Sequence, residues 1–169
     1  MHIVAAFACD LTRVATLMLR GQGTKFPGCG FAPVNRPDVT FHSLSHLEDE
    51  SWDTLKTFTH GLVAEALTKL QSIPEGAGTM LDNTWVLVGS EIGPGHSLNQ
   101  KLIWFTFGGK NLGLRTGQYL HMPDGTCHSR MLVTMCNTMG LPDAEFWREP
   151  RKRNGARSRL SDLSTRWRL

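Results

Sequence analysis

No apolar run in this 169-residue chain approaches the roughly 18 consecutive residues that a membrane-spanning helix needs. Met1 to Ala8 is apolar, but no basic stretch precedes it and Asp10 and Arg13 follow at once, which argues against a signal peptide. The four cysteines, Cys9, Cys29, Cys127 and Cys136, show no CxxC spacing, so a zinc knuckle is not expected. Cys9 and Cys136 fall among apolar neighbours on expected helices and read as buried thiols. The chain has no G-x-S-x-G nucleophile elbow and no internal repeat. Gly108-Gly109 is followed by neither a helix nor the Lys-Ser/Thr of a phosphate loop, and it reads as a turn. With 40% apolar and 20% charged residues, the composition excludes both a disordered and a membrane-embedded chain. The length suits one domain with a core of its own.

Charge is unevenly spread. The formal net charge is +3, but residues 148–169 carry eight basic and two acidic side chains, while residues 1–147 carry ten basic and thirteen acidic. The division expected is therefore a body, 1–147, and a basic, disordered tail, 148–169. Such a tail is the one place where nucleic acid or another anionic surface would bind, through phosphate contacts without sequence preference.

Within the body, residues 2–9 read as the end of a helix, and Arg13 to Leu19 as a buried strand. Residues 20–50 are rich in Gly, Pro, Asn and Asp; a loop of that length is usually functional. The clearest element is a helix from Trp52 to Ser72, capped by Ser51. Trp52, Leu55, Phe58, Leu62, Val63, Ala66, Leu67 and Leu70 recur at three- and four-residue steps on one face. Glu65 and Lys69 pair on the wet side, and Pro74 and Gly76 end the helix. Two short apolar runs, Thr84–Val88 and Leu102–Phe107, read as strands covered on both faces, as in a parallel sheet. A small hairpin, or a strand with a turn, is expected over Gly113–Met122, and a turn at Pro123-Asp124-Gly125. A second helix follows from Cys127 to Met139, with Met131, Leu132, Met135, Cys136 and Met139 inward and Gly140 as its left-handed cap. This order predicts an α/β fold, a mostly parallel sheet flanked by helices.

Ligand sites in open α/β sheets lie beyond the carboxyl ends of the strands. The loop after Val88 carries Glu91 and, across Gly93-Pro94-Gly95, His96; a carboxylate and an imidazole so placed can converge on a divalent cation. His42 and His46 are four residues apart and would share a face on a helical turn, as a metal or anion site completed by Glu91, His96 or Asp49. Arg115, His121 and His128 are weaker candidates.

LDNTWVLVGSEIGPGHSLNQK, residues 81–101, resembles the alkaline-phosphatase/sulfatase superfamily segment in which a strand ends in Ser-Asp-His or Ser-Asp-Asn. A nearer resemblance is to an uncharacterised family of exported bacterial proteins, itself distantly similar to that superfamily. The shared motifs are Asp-Leu-Thr-Arg-Val at 10–14, His-x-Leu-Ser-His at 42–46 and Leu-Asp-Asn-Thr at 81–84. The resemblance covers about Asp10 to Phe146 and only the C-terminal part of a family protein.

It implies a partial alkaline-phosphatase-like domain, with a divalent metal (zinc, calcium or manganese) held by Glu91, His96, His42 and His46. Lys101 would contact a phosphate or sulfate ester, and the setting would be periplasmic or extracellular. Ile92 stands where the superfamily pattern has a metal-binding His or Asn, and Glu91 where it has Asp. The superfamily's nucleophile, a Ser, Thr or modified Cys beside an early Asp, belongs to a region that this resemblance does not reach. The chain is therefore expected to be inactive alone as a metal-dependent ester hydrolase. The alternative is a non-catalytic binding or structural module that pairs with the missing N-terminal half or with another chain.

Overall fold

A computed structural model describes residues 2–19, 21, 23–27, 34–47, 49–90 and 102–142. The chain divides into two compact units, Met1–Ile73 and Pro74–Leu169.

The first unit is built around one long helix. Helix α1 (His2–Ala8) ends at Asp10, whose φ of 53° turns the chain. Strand β1 (Lys25–Pro27) pairs antiparallel with β2 (Asn35–Thr40), with an irregularity between Lys25 and Phe26. The one-turn helix α2 (Phe41–Ser45) follows directly, and α3 runs from Glu50 to Ser72. Asp49, rather than Ser51, caps α3: its Oδ1 accepts the Trp52 N–H at 3.2 Å, and Glu50 and Asp53 add negative charge at the positive end of the helix dipole. Starting the helix at Glu50 makes Ser51 a first-turn residue. Val34, Leu44 and Leu55 form the buried cluster, with Val39, Phe41 and Trp52 packed against it. The Phe41 and Trp52 rings meet at 5.3 Å between centroids, tilted by 49°. Along the expected apolar face of α3 only Leu55 and Leu70 are fully buried; the other residues of that face are half-exposed.

In the second unit, β3 (Pro74–Glu75) and β4 (Gly78–Thr79) form a tight hairpin around Gly76, whose φ of 58° suits the first position of a two-residue hairpin turn. Strands β5 (Trp85–Gly89) and β6 (Trp104–Gly108) pair with Trp85 opposite Gly108 and Gly89 opposite Trp104. A 3-10 turn at Lys110–Leu112 and helix α4 (Ser129–Thr138) complete the described elements.

The expectation of a mostly parallel α/β sheet fails. Every described sheet has two strands, and each pair is antiparallel. Nor are β5 and β6 covered on both faces: only Trp85 is buried, and Phe105 is 48% exposed. A parallel pair needs a crossover of a dozen or more residues, usually a helix. The connector from Ser90 to Ile103 carries Gly93-Pro94-Gly95, a composition poor in helix propensity. Trp104 lies over Gly89, where a Cβ would overlap the indole ring; cross-strand pairing of glycine with an aromatic ring is a known device of antiparallel sheets.

Other expectations meet mixed outcomes. The Glu65–Lys69 pair forms at 2.5 Å, the helix ends before Pro74, and Gly140 adopts the expected left-handed conformation with φ 84°. The Pro123 turn closes through the Thr126 N–H on the Pro123 carbonyl. Arg13–Leu19, expected as a buried strand, forms no strand and is exposed. Cys9, just past the end of α1, is exposed, and Cys136 is half-buried. In α4 the buried residue is Val133, while Met139 is 52% exposed. Gly113–Met122 contains no strand. The 20–50 stretch is not one long loop, since β1, β2 and α2 lie in it. Among the described residues, no helix is long and apolar enough to cross a membrane. The basic tail lies outside the described residues.

Candidate functional site

Helix α2 is short, yet it is held from three sides. The Thr40 hydroxyl oxygen accepts the Ser43 N–H at 3.1 Å, capping the turn. The Ser45 hydroxyl donates to the His42 carbonyl at 2.6 Å. Leu44 points into the core and is wholly buried. With Leu44 inward, the flanking positions His42 and His46 lie one helical turn apart, as their spacing predicts. Their Nε2 atoms are 3.3 Å apart, and the rings meet edge to face at 4.9 Å. His46 is exposed and His42 half-buried. Either imidazole can donate to the other, depending on tautomer.

Asp49, a candidate third ligand by sequence, is engaged elsewhere. Its Oδ1 caps α3, and its Oδ2 lies 3.5 Å from Arg36 Nη1. Arg36 also reaches Asp38 at 3.3 Å, and this hydrogen bond holds the Asp38 carboxyl below its ordinary range. Glu91, His96 and Lys101 lie outside the described residues. Among the described residues, no three His, Cys, Asp or Glu side chains gather to hold a metal. Arg115, His121 and His128 are all exposed, and His128 makes no capping bond through its side chain at the start of α4.

The Leu81–Thr84 motif takes a structural place. The Leu81 carbonyl accepts the Gly109 N–H at 3.1 Å, and the Asp82 carbonyl accepts the Asn111 N–H at 2.9 Å. Asp82 Oδ2 accepts both the Thr79 N–H (2.8 Å) and its hydroxyl (2.9 Å). Those hydrogen bonds, the backbone one first, hold the Asp82 carboxyl below its ordinary range. Asn83 donates to Glu75 at 2.7 Å and accepts from the Asn111 amide at 2.8 Å. Thr84 donates to the Met80 carbonyl at 2.7 Å. The motif thus ties the β3–β4 hairpin to the turn after β6. Gly108 completes the latch: with φ 73°, a Cβ there would sit 2.5 Å from the Leu81 carbonyl oxygen.

The Asp10–Val14 motif makes only local contacts, an Arg13–Asp10 pair at 3.3 Å and a Thr12 hydroxyl bond to the Val14 carbonyl at 2.8 Å. Beyond it, through Leu19, the chain forms neither helix nor strand. Leu11, Val14, Leu17 and Met18 are 78, 79, 58 and 79% exposed. Sequence reasoning took this apolar stretch for a buried strand, and it is neither buried nor a strand. No signal in the sequence separates an apolar strand that the chain covers from one that it does not. The indole N–H groups of Trp85 and Trp104 are buried and find no acceptor among the described residues.

No family model, no curated protein and no solved structure matches the chain.

Proposed function

We propose that this chain is a binding module that pairs with another chain, and that residues 11–19 are the pairing segment. The observation that supports this is the exposure of Leu11, Val14, Leu17 and Met18 on a stretch that forms neither helix nor strand. Residues 14–19, Val-Ala-Thr-Leu-Met-Leu, carry no charge. A contiguous apolar stretch of this kind marks an interaction surface more often than free surface. An extended segment docks by adding a strand to an open sheet edge: main-chain hydrogen bonds give the affinity, and alternate side chains enter apolar pockets. The partner expected is a chain with an open sheet edge lined by such pockets.

The ester-hydrolase reading rests on the motif resemblance alone. It places Glu91, His96 and Lys101 in the loop after β5, outside the described residues.

A photo-crosslinking residue placed at Val14 or Met18, with Thr57 on α3 as the control, tests the pairing in cells. A discrete adduct from the first two positions, mapped by mass spectrometry to an extended edge strand, is expected. No adduct from either position, or equal adducts from Thr57, overturns the reading. An adduct of twice the chain mass makes the partner a second copy.

A further inference from the structure

We propose that His42 and His46 chelate one divalent transition-metal ion with a preference for tetrahedral geometry, zinc above all, through their Nε2 atoms. The inference stands on α2 alone and does not depend on the pairing segment. Two zinc–nitrogen bonds of about 2.0–2.1 Å at the tetrahedral angle separate the nitrogens by about 3.3–3.4 Å. The observed separation is 3.3 Å. The spacing matches that tetrahedral bite, and imidazole nitrogen is a standard zinc ligand. Imidazole nitrogen also selects against calcium and magnesium, which take oxygen ligands.

The turn that carries the pair is already formed. Thr40 caps it, Ser45 bonds the His42 carbonyl, and Leu44 anchors it in the core. The two imidazoles therefore stand one turn apart before the ion arrives; the ion replaces the hydrogen bond between their Nε2 atoms, and the proton in that bond moves to Nδ1 of its own ring. A turn formed in advance is the condition under which a second ligand adds most to affinity. Two protein ligands leave two positions of a tetrahedral centre for water or for a donor on an incoming molecule. An open site of this kind exchanges its metal, unlike a closed four-ligand structural site.

The test uses the full chain, kept reduced, with zinc chloride as the probe. Long-range proton–nitrogen spectra of labelled imidazoles come first and need no variant. One equivalent of zinc is expected to move the Nε2 signals of His42 and His46 together and to leave His60, His121 and His128 in place. Calorimetry should then give one ion per chain, with His42→Ala and His46→Ala each weakening binding by about a hundredfold through loss of the chelate. His60→Ala, on α3, should bind as the parent does. Zinc that leaves both signals unmoved at millimolar concentration overturns the proposal. So does zinc that shifts other histidines or the cysteines instead, or that binds both variants as tightly as the parent.

Discussion

The junction of β2, α2 and α3 and the stretch from Leu11 to Leu19 are both apolar parts of the same unit, and they meet opposite fates. At the junction Leu44 is 0% and Leu55 1% exposed, while Val14 and Met18 are each 79% exposed. Hydrophobicity does not distinguish them. The junction has a facing surface: a capped helical turn brings Leu44 against a long helix, and the Phe41 and Trp52 rings close over the cluster. The Leu11–Leu19 stretch has a helix end and a positive-φ Asp10 before it and no strand to pair with among the described residues. Burial belongs to pairs of surfaces, not to residues.

The sharpest way to break this contrast is a matched pair of truncations. Leu55→Ala should cost about 3 kcal/mol of stability, because it removes a buried side chain and leaves a cavity. Leu17→Ala should change stability by less than about 0.5 kcal/mol. Denaturant unfolding of both variants reads the difference, and a large loss from Leu17→Ala would show that the stretch is covered in solution.

Next in size is Gly108→Ala, which tests a region fixed by hydrogen bonds instead of packing. The residue needs φ 73° and has no room for a Cβ beside the Leu81 carbonyl, so a loss of about 2 kcal/mol is expected. Hydrogen exchange at the Gly109 and Asn111 amides should rise with it. Asp49→Ala, which removes the cap of α3 and one partner of Arg36, should cost about 1 kcal/mol, visible as a lower thermal midpoint.

A pH titration separates the hydrogen-bonded turn at Asp82 from the packed junction at Leu55. The Asp82 carboxyl is held below its ordinary range in the folded chain. Its contribution is therefore present above the unfolded value, near pH ~4, and is lost as pH falls through the lower folded value. Asp82→Asn should flatten the acid loss of stability in that window, whereas Leu55→Ala should shift the whole profile without changing its shape. The smallest effect belongs to Glu65→Gln. The Glu65–Lys69 pair is formed but solvent-exposed, with side chains 57% and 43% accessible, and its loss should leave the unfolding midpoint unchanged within error.

Much of the local structure was legible. Periodicity located α3 to within two residues of its start, because a 3.6-residue apolar rhythm sustained over about six turns fits neither a strand nor a loop. Pro74 and Gly140 marked ends through backbone chemistry that needs no tertiary contact. The i,i+4 spacing of His42 and His46 implied a shared face once α2 existed. The existence of α2 was not legible, because five residues following a stretch of glycines and prolines carry too little periodicity, and its stability comes from Leu44 in the core. The Leu81–Thr84 motif was legible as a motif, but its role in tying turns together was not. Its polar side chains bond turns up to 28 residues away, and sequence spacing does not record such partners.

By itself the sequence located α3 and α4 to within a few residues, the turn at Pro123, the cap at Gly140 and the two strand-forming runs that became β5 and β6. Propensity, capping and glycine or proline chemistry act within a few residues, so a linear reading reaches them. Only the tertiary structure decided that β5 and β6 run antiparallel, that Leu44 is buried while Leu17 is not, and that two histidines lie 3.3 Å apart. Each of these depends on which surfaces meet, and that is settled by contacts between residues far apart in the chain.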